Sequence, residues 1–183
     1  MFRIGLGLDS HRIKCKVQTF VPSIRPELMP RGSGRGSAKC KTNKNLILGG
    51  VEVSKDHYAL ADSEGDVIIH SLCNALSTAI GGGSLDTWAG PMFKRGVTDS
   101  REFLKVILKK VKNQGFKIGN VAIMLEGQRP KLEKYRPKIQ TSLAKLLGIK
   151  KQNIGLAFTT GQDLTIFGKG EGIQVFSTVL IYQ

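Results

Sequence analysis

The chain has 183 residues, 40% hydrophobic and 23% charged, which supplies one globular core and excludes a disordered or fibrous chain. Its 28 Lys and Arg against 14 Asp and Glu give a formal charge of +14, pointing to polyanionic partners: nucleic acid, an anionic membrane or phosphorylated small molecules. No apolar run reaches the roughly 20 residues of a membrane span, and Cys15, Cys40 and Cys73 form no CxxC pair, so neither a membrane protein nor a disulfide scaffold is expected, but a cytoplasmic one.

Residues 2–9 alternate as a strand, with Gly5 and Gly7 permitting close backbone approach. Residues 12–45 break that pattern with three prolines, the run Arg31-Gly32-Ser33-Gly34-Arg35-Gly36-Ser37, and nine Lys or Arg against one acid, Glu27. They read as a basic, flexible insertion. Strand character resumes over 46–53. Residues 63–80 have helical spacing, with Ser63 and Asp66 as a capping-box-like start and Gly81-Gly82-Gly83 as the stop. A loop is predicted over 84–97, then a helix from Ser100 to Asn113 capped by Thr98 or Asp99. Residues 116–126 read as a strand, and Pro130 opens a predicted helix to Leu147, ended by Gly148. Two strands, 153–160 and 172–182, complete the chain, joined by Gly168-Lys169-Gly170-Glu171-Gly172. This order implies a single layered α/β domain (α+β layered) over residues 1–183: a mixed sheet, helices on one face, and the other face covered by subunit association.

Asp9 and His11 are two residues apart at the end of the first strand, so both side chains point the same way. His70 falls in the predicted helix. An Asp and two His make a three-ligand site with one position open, the usual catalytic arrangement for zinc. From spacing alone, a hydrogen-bonded core histidine is the competing reading of His70.

Six blocks, Arg3 to His11, Leu48 to Val51, Ser63 to His70, Thr98 to Glu102, Gly119 to Leu132 and Thr159 to Gly172, together resemble the 2-C-methyl-D-erythritol 2,4-cyclodiphosphate synthase family. Arg3 to His11 resembles its opening RIGxGxDxH, and Leu48-Gly49-Gly50-Val51 its next block. Ser63 to His70 is similar to SDGDVxxH, and Thr98 to Glu102 to the ADSRELL helix start. Gly119-Asn120-Val121, followed by Gln128 to Leu132, resembles GNVD…QxPKM. Thr159-Thr160 and Gly168 to Gly172 resemble TTTE…GRGEG. The blocks stand in family order along nearly the whole chain, the segment 12–45 excepted.

The resemblance implies a metal-dependent phosphorus–oxygen lyase of the non-mevalonate isoprenoid pathway. Its substrate is 4-diphosphocytidyl-2-C-methyl-D-erythritol 2-phosphate, and its products are the cyclic diphosphate and CMP. It implies a homotrimer with active sites between subunits, zinc on Asp9, His11 and His70, and a second divalent ion, Mg or Mn, with the substrate phosphates. By position, Ser10 joins Asp9 and His11 in contacting substrate, and Asp62 and Ser63 lie near its phosphate. Gly127, Gln128, Arg129, Pro130, Lys131, Leu132 and Glu133 line the cytidine pocket, Lys131 near phosphate. Thr160 donates to the reacting phosphate, beside Thr159, Gly161 and Gln162; Ile166 and Lys169 complete the substrate-binding set. Asp62 and Thr160 are the implied catalytic pair.

Four departures stand out. Asp62 replaces a usual His, and Gln162 an acid that helps hold the second metal. Residues 84–90 replace the ribose-binding loop, with Asp86 as its remaining ribose ligand, and the 12–45 insertion is longer than the family's connection. The alternatives are a weakened trimeric homologue and a basic nucleic-acid module. Against the module, no RNP run or zinc-finger spacing is present and only 7% of residues are aromatic.

Overall fold

The computed structural model describes residues 1–16 and 43–183; most of the predicted basic insertion lies outside them. Five strands form one mixed sheet: β1 (Phe2–Cys15), β4 (His57–Ala59), β5 (Lys117–Glu126), β6 (Ile154–Thr159) and β7 (Gly172–Tyr182). Their order is β4-β1-β7-β5-β6, with β5 and β6 parallel and the other pairs antiparallel. A separate hairpin pairs β2 (Leu46–Leu48) with β3 (Val51–Ser54). The helices are α1 (Val67–Ala79), α2 (Asp86–Lys94), α3 (Ser100–Asn113) and α4 (Arg136–Leu147).

The glycines of β1 determine how closely α1 packs. A Cβ on Gly5 would lie 1.9 Å from the Ala75 carbonyl oxygen, and one on Gly7 2.0 Å from that of Ser71. Only a strand bare of side chains at both positions lets the helix backbone lie against it. Odd-numbered β1 residues therefore face α1, and Asp9 and His11 continue that row toward it. The core between sheet and helices holds Ile68, Leu72, Leu76, Leu104, Ile107, Leu125, Val175 and Val179, all 1% exposed or less.

The even-numbered face of the sheet is apolar and open. Phe2, Ile4, Leu6 and Leu8 on β1 are exposed, as are Met124 on β5 and Phe176 on β7, with Ile4 at 71%. The expectation of a mixed sheet with helices on one face holds; this second face has no cover from the described chain.

Several elements differ from their prediction. β1 continues past Asp9 to Cys15, because Ile13 and Cys15 pair with Ala59 and His57 of β4, a partner far along the chain. Residues 46–53 are two strands, not one. Gly49 and Gly50 turn between them at φ +59° and +75°, a conformation glycine adopts without steric cost. Helix α1 starts at Val67, capped by Asp66, not by Ser63. The Asp66 carboxylate accepts from the backbone N–H of Gly49, Gly50 and Ile69 at 2.8, 2.6 and 3.1 Å. Burial pushes the Asp66 carboxyl pKa up, and these donors pull it back. One side chain thus ties the Gly-Gly turn to the helix start, which links two sequence blocks 16 and 17 residues apart.

Residues predicted as a loop over 84–97 contain α2. Gly90-Pro91 reads locally as a breaker, but buried Leu85, Trp88 and Ala89 pack the segment against the core, and Trp88 Nε1–H donates to Phe103 O. The helix expected to open at Pro130 opens at Arg136, with Pro137 in its first turn. Residues 127–135 instead form an irregular connection with a cis Arg129–Pro130 bond and a short 3-10 turn, Glu133–Tyr135. Gly148 ends α4 in the left-handed conformation, as predicted. Helix α3 and its Asp99 cap also match the prediction.

Candidate active site

Asp9, His11 and His70 converge. Asp9 Oδ2 lies 3.2 Å from His11 Nε2 and 3.1 Å from His70 Nδ1, and the two ring nitrogens are 3.2 Å apart. A tetrahedral ion with bonds of about 2.0–2.1 Å has donor–donor edges of about 3.3–3.4 Å. Three donors already near that spacing, two imidazoles and a carboxylate, fit a divalent metal. Burial alone would raise the Asp9 carboxyl pKa. Hydrogen bonds to His11 and His70 and the charge of those rings outweigh it and hold Asp9 at about 2, a carboxylate at every physiological pH.

His70 is 6% exposed and held from its far side. Its Nε2 lies 2.9 Å from Ser100 Oγ and 3.3 Å from Ser63 Oγ. The Phe103 ring, one turn along α3 from Ser100, sits 6.2 Å from the imidazole. His57, the third histidine, belongs to β4 and lies 2.9 Å from Ser54 Oγ, outside this constellation; burial lowers its pKa.

The three donors open into a cavity of about 220 Å3 lined also by Asp62, Ser63, Asn74, Asp86 and Phe93. Asn74 shapes its rim: its amide donates to Leu8 O and its carbonyl accepts from Leu85 N, fixing the start of α2 against β1. Asp62 and Asp86 thus face the same space as the triad, although residues 84–90 are partly helical. Ser10 alternates to the opposite, exposed side of β1 and does not line the cavity.

A second cavity of about 190 Å3 lies at the C-terminal ends of β5 and β6. It is lined by Gly127, Pro130, Lys131, Leu132, Glu133 and Phe158, with Thr159 and Thr160. Gln128 and Arg129 do not line it; the Gln128 amide reaches Asp163 at 3.4 Å. Gly161, Gln162, Ile166 and Lys169 lie on the β6–β7 connection and line neither cavity. In that connection Gln162 and Asp163 are held at φ +45° and +61°, a conformation rarely adopted by residues with a side chain.

Both cavities sit toward one end of the sheet. Asp9 pairs with Val175 of β7, and Val175 pairs with Leu125 of β5. The triad and the second cavity are therefore on strands separated by β7. Sequence reasoning missed Ser100, Phe103 and Asn74 as partners of the site. The i,i+3 spacing of Ser100 and Phe103 marks one face of α3, but nothing local says that the face meets His70.

Residues 2–182 match the model of the YgbB family. A 2-C-methyl-D-erythritol 2,4-cyclodiphosphate synthase of Chlamydia trachomatis serovar L2b is 32% identical over 184 residues, covering 100% of this chain and 89% of the relative. The Plasmodium falciparum IspF–CDP complex superposes with a TM-score of 0.74 at 26% identity, over 98% of this chain and 95% of that one. A CDP-bound 2C-methyl-D-erythritol-2,4-cyclodiphosphate synthase gives 0.77 at 27% identity, over 98% and 100%. With a family match from the first strand to the last, and a strand–helix Asp/His/His set at its centre, the chain belongs to the YgbB family.

Proposed function

We propose that this chain is a 2-C-methyl-D-erythritol 2,4-cyclodiphosphate synthase, converting 4-diphosphocytidyl-2-C-methyl-D-erythritol 2-phosphate to the cyclic diphosphate and CMP. The observation that carries this reading is the Asp9/His11/His70 donor set, opening into a cavity, in a chain of this family. In the reaction an oxygen of the 2-phosphate bonds to the β-phosphorus while the bond from that phosphorus to the CMP oxygen breaks. Such a transfer needs positioning and charge neutralisation more than covalent help. Asp9, His11 and His70 would hold zinc; when bound, it supplies Lewis-acid polarisation of a phosphoryl oxygen, with Mg or Mn as a second charge-neutralising ion.

The chain's own residues take the remaining roles. The second cavity is the cytidine pocket: Gly127, Pro130 and Leu132 give it apolar walls and backbone groups for a base edge, and Lys131 brings a cation to phosphate. Thr160, at its lip, donates to the reacting phosphate. Asp86 takes a ribose hydroxyl in the triad cavity. Incubation with the diphosphocytidyl substrate, read by phosphorus NMR, tests the reading: cyclic diphosphate and CMP should appear together. Metal binding with no CMP release would support the weakened homologue instead.

The exposed face of Ile4, Leu6, Leu8, Met124 and Phe176 supports a homotrimer built on this surface, with the triad cavity of one subunit facing the cytidine pocket of the next. Light scattering at micromolar concentration should give three times the chain mass; a stable monomer would remove both the trimer and the shared site.

Asp62 brings a carboxylate into the cavity that receives phosphates. Two like charges about 4 Å apart cost on the order of 4 kcal/mol at an effective dielectric near 20, an upper figure that an intervening cation reduces. A second ion seated between the Asp62 carboxylate and the phosphates offsets this repulsion, so the need for that ion is greatest while Asp62 is a carboxylate. Asp62→His should then lower the Mg or Mn concentration for half-maximal turnover, and Asp62→Asn should remove the repulsion without adding a cation. Unchanged rate, affinity and metal dependence in Asp62→Ala and Asp62→His would place Asp62 away from the substrate.

A further inference from the structure

The face of His70 turned away from Asp9 and His11 carries its own set of contacts. Nδ1 points to the other two donors, at 3.1 Å from Asp9 Oδ2 and 3.2 Å from His11 Nε2. Nε2 points the other way, into a buried pair of hydroxyls: Ser100 Oγ at 2.9 Å and Ser63 Oγ at 3.3 Å. Ser100 is 0% exposed and Ser63 7%, so water does not compete freely for that nitrogen.

We propose that Ser100 is a positioning residue for the metal centre: its hydroxyl accepts the Nε2–H of His70 and thereby holds the tautomer whose bare Nδ1 faces the metal position. This rests on the metal reading of the triad and gives a role to a residue of the Thr98 to Glu102 block that the sequence analysis read only as a helix start. A neutral imidazole carries one N–H, and the nitrogen that keeps it cannot bind metal. With Nδ1 given to the metal, the one N–H of the neutral ring is on Nε2, and the Ser100 oxygen, 2.9 Å away, is placed to accept it. Ser63 supports it with a longer contact while also accepting from Gly65 N–H at 3.1 Å.

The chain builds this contact from two elements that meet only in the fold. Ser100 opens α3, and its backbone N–H donates to Glu64 Oε1 at 3.1 Å. Glu64 N–H in turn donates to Thr98 O at 3.0 Å. The pair clamps the start of α3 to the segment that leads into α1, and the hydroxyl is delivered to the ring as a result. Phe103, three residues on, packs on the same imidazole and limits its rotation. Groups that orient a metal-bound histidine typically change metal affinity about 10- to 100-fold when removed.

The test is a zinc titration against a competing chelator on purified wild-type, Ser100→Ala and Ser63→Ala/Ser100→Ala proteins, with the melting temperature of each metal-free protein recorded. Ser100→Ala should bind zinc about 10-fold more weakly and the double variant about 100-fold more weakly, with both metal-free proteins still folded at the temperature of the titration. Zinc affinity within twofold of wild type in both variants overturns the proposal. Should Ser100→Ala not fold, the wild-type protein still decides it. Nitrogen-15 NMR of the zinc-loaded chain should place the His70 proton on Nε2, protected from exchange with solvent; a proton on Nδ1, or an Nε2 proton exchanging as freely as in an exposed histidine, overturns it. His70→Ala separates the two readings: if it leaves zinc binding intact the metal site itself is wrong, whereas loss of zinc there with silent serine variants removes only the role of Ser100.

Discussion

Replacing His70 with alanine should remove the bound ion and lower turnover by at least about 1000-fold. Two donors remain, Asp9 and His11, and catalytic zinc sites ordinarily use three protein ligands. Loss of a Lewis acid worth several kcal/mol of transition-state charge stabilisation corresponds to about three decades in rate at 1.36 kcal/mol per decade. The fold should survive. His70 sits at the edge of the core, and its removal leaves the Ser63 and Ser100 hydroxyls without their shared partner, a cost of about 1–3 kcal/mol. Metal content per chain and phosphorus NMR of the product measure the two effects separately. His57→Ala is the control, because His57 contacts Ser54 on β4 and should leave metal content unchanged. Full metal occupancy in His70→Ala would take His70 out of the site.

Gly7→Ala, like Gly5→Ala, should be among the most destructive single methyls at the described residues. Its Cβ would stand 2.0 Å from Ser71 O and 2.4 Å from Ala75 N, all backbone of α1, where no flexible side chain can yield. Relief requires α1 to lift from β1, which also carries His70 away from Asp9. The cost should reach about 3 kcal/mol, the upper end of ordinary overpacking, lowering the melting temperature by about 6–12 °C. Zinc affinity should fall with it. Gly90→Ala is the comparison: a Cβ there meets nothing within 4 Å, and the position lies within α2, so stability should hold or rise slightly. A Gly7→Ala protein melting within 2 °C of wild type would show that α1 is not held against β1 by the missing side chain.

The segments that sequence spacing placed correctly are those whose signal is local. Helix α3 announces itself by its apolar stripe and Asp99 cap, β7 by alternation, and the end of α4 by Gly148. Asp9 and His11 are legible as a pair because a strand's two-residue period puts them on one side. The family blocks then pointed to His70 as a third donor, and the structure sets its Nδ1 3.1 Å from Asp9 Oδ2 and 3.2 Å from His11 Nε2.

What the sequence could not decide depended on partners distant in the chain. The end of β1 is a strand because β4 pairs with it, and α2 is a helix despite Gly90-Pro91 because Trp88 and Ala89 have a core to enter. The cap of α1 moved from Ser63 to Asp66 because the Gly49-Gly50 turn brings two further N–H groups to that carboxylate, and a buried carboxylate holds its place by the number of donors it collects. Ser10 faces away from the triad cavity because β1 stays extended through it, and the two hydroxyls on His70 came together because Glu64 clamps α3 to the helix α1 entrance. Residue types and their periods determined which side chains bear chemistry; the contacts between α1, α3 and β1 determined which way each of them faces, since a side chain's direction follows from its backbone and that backbone is set by packing.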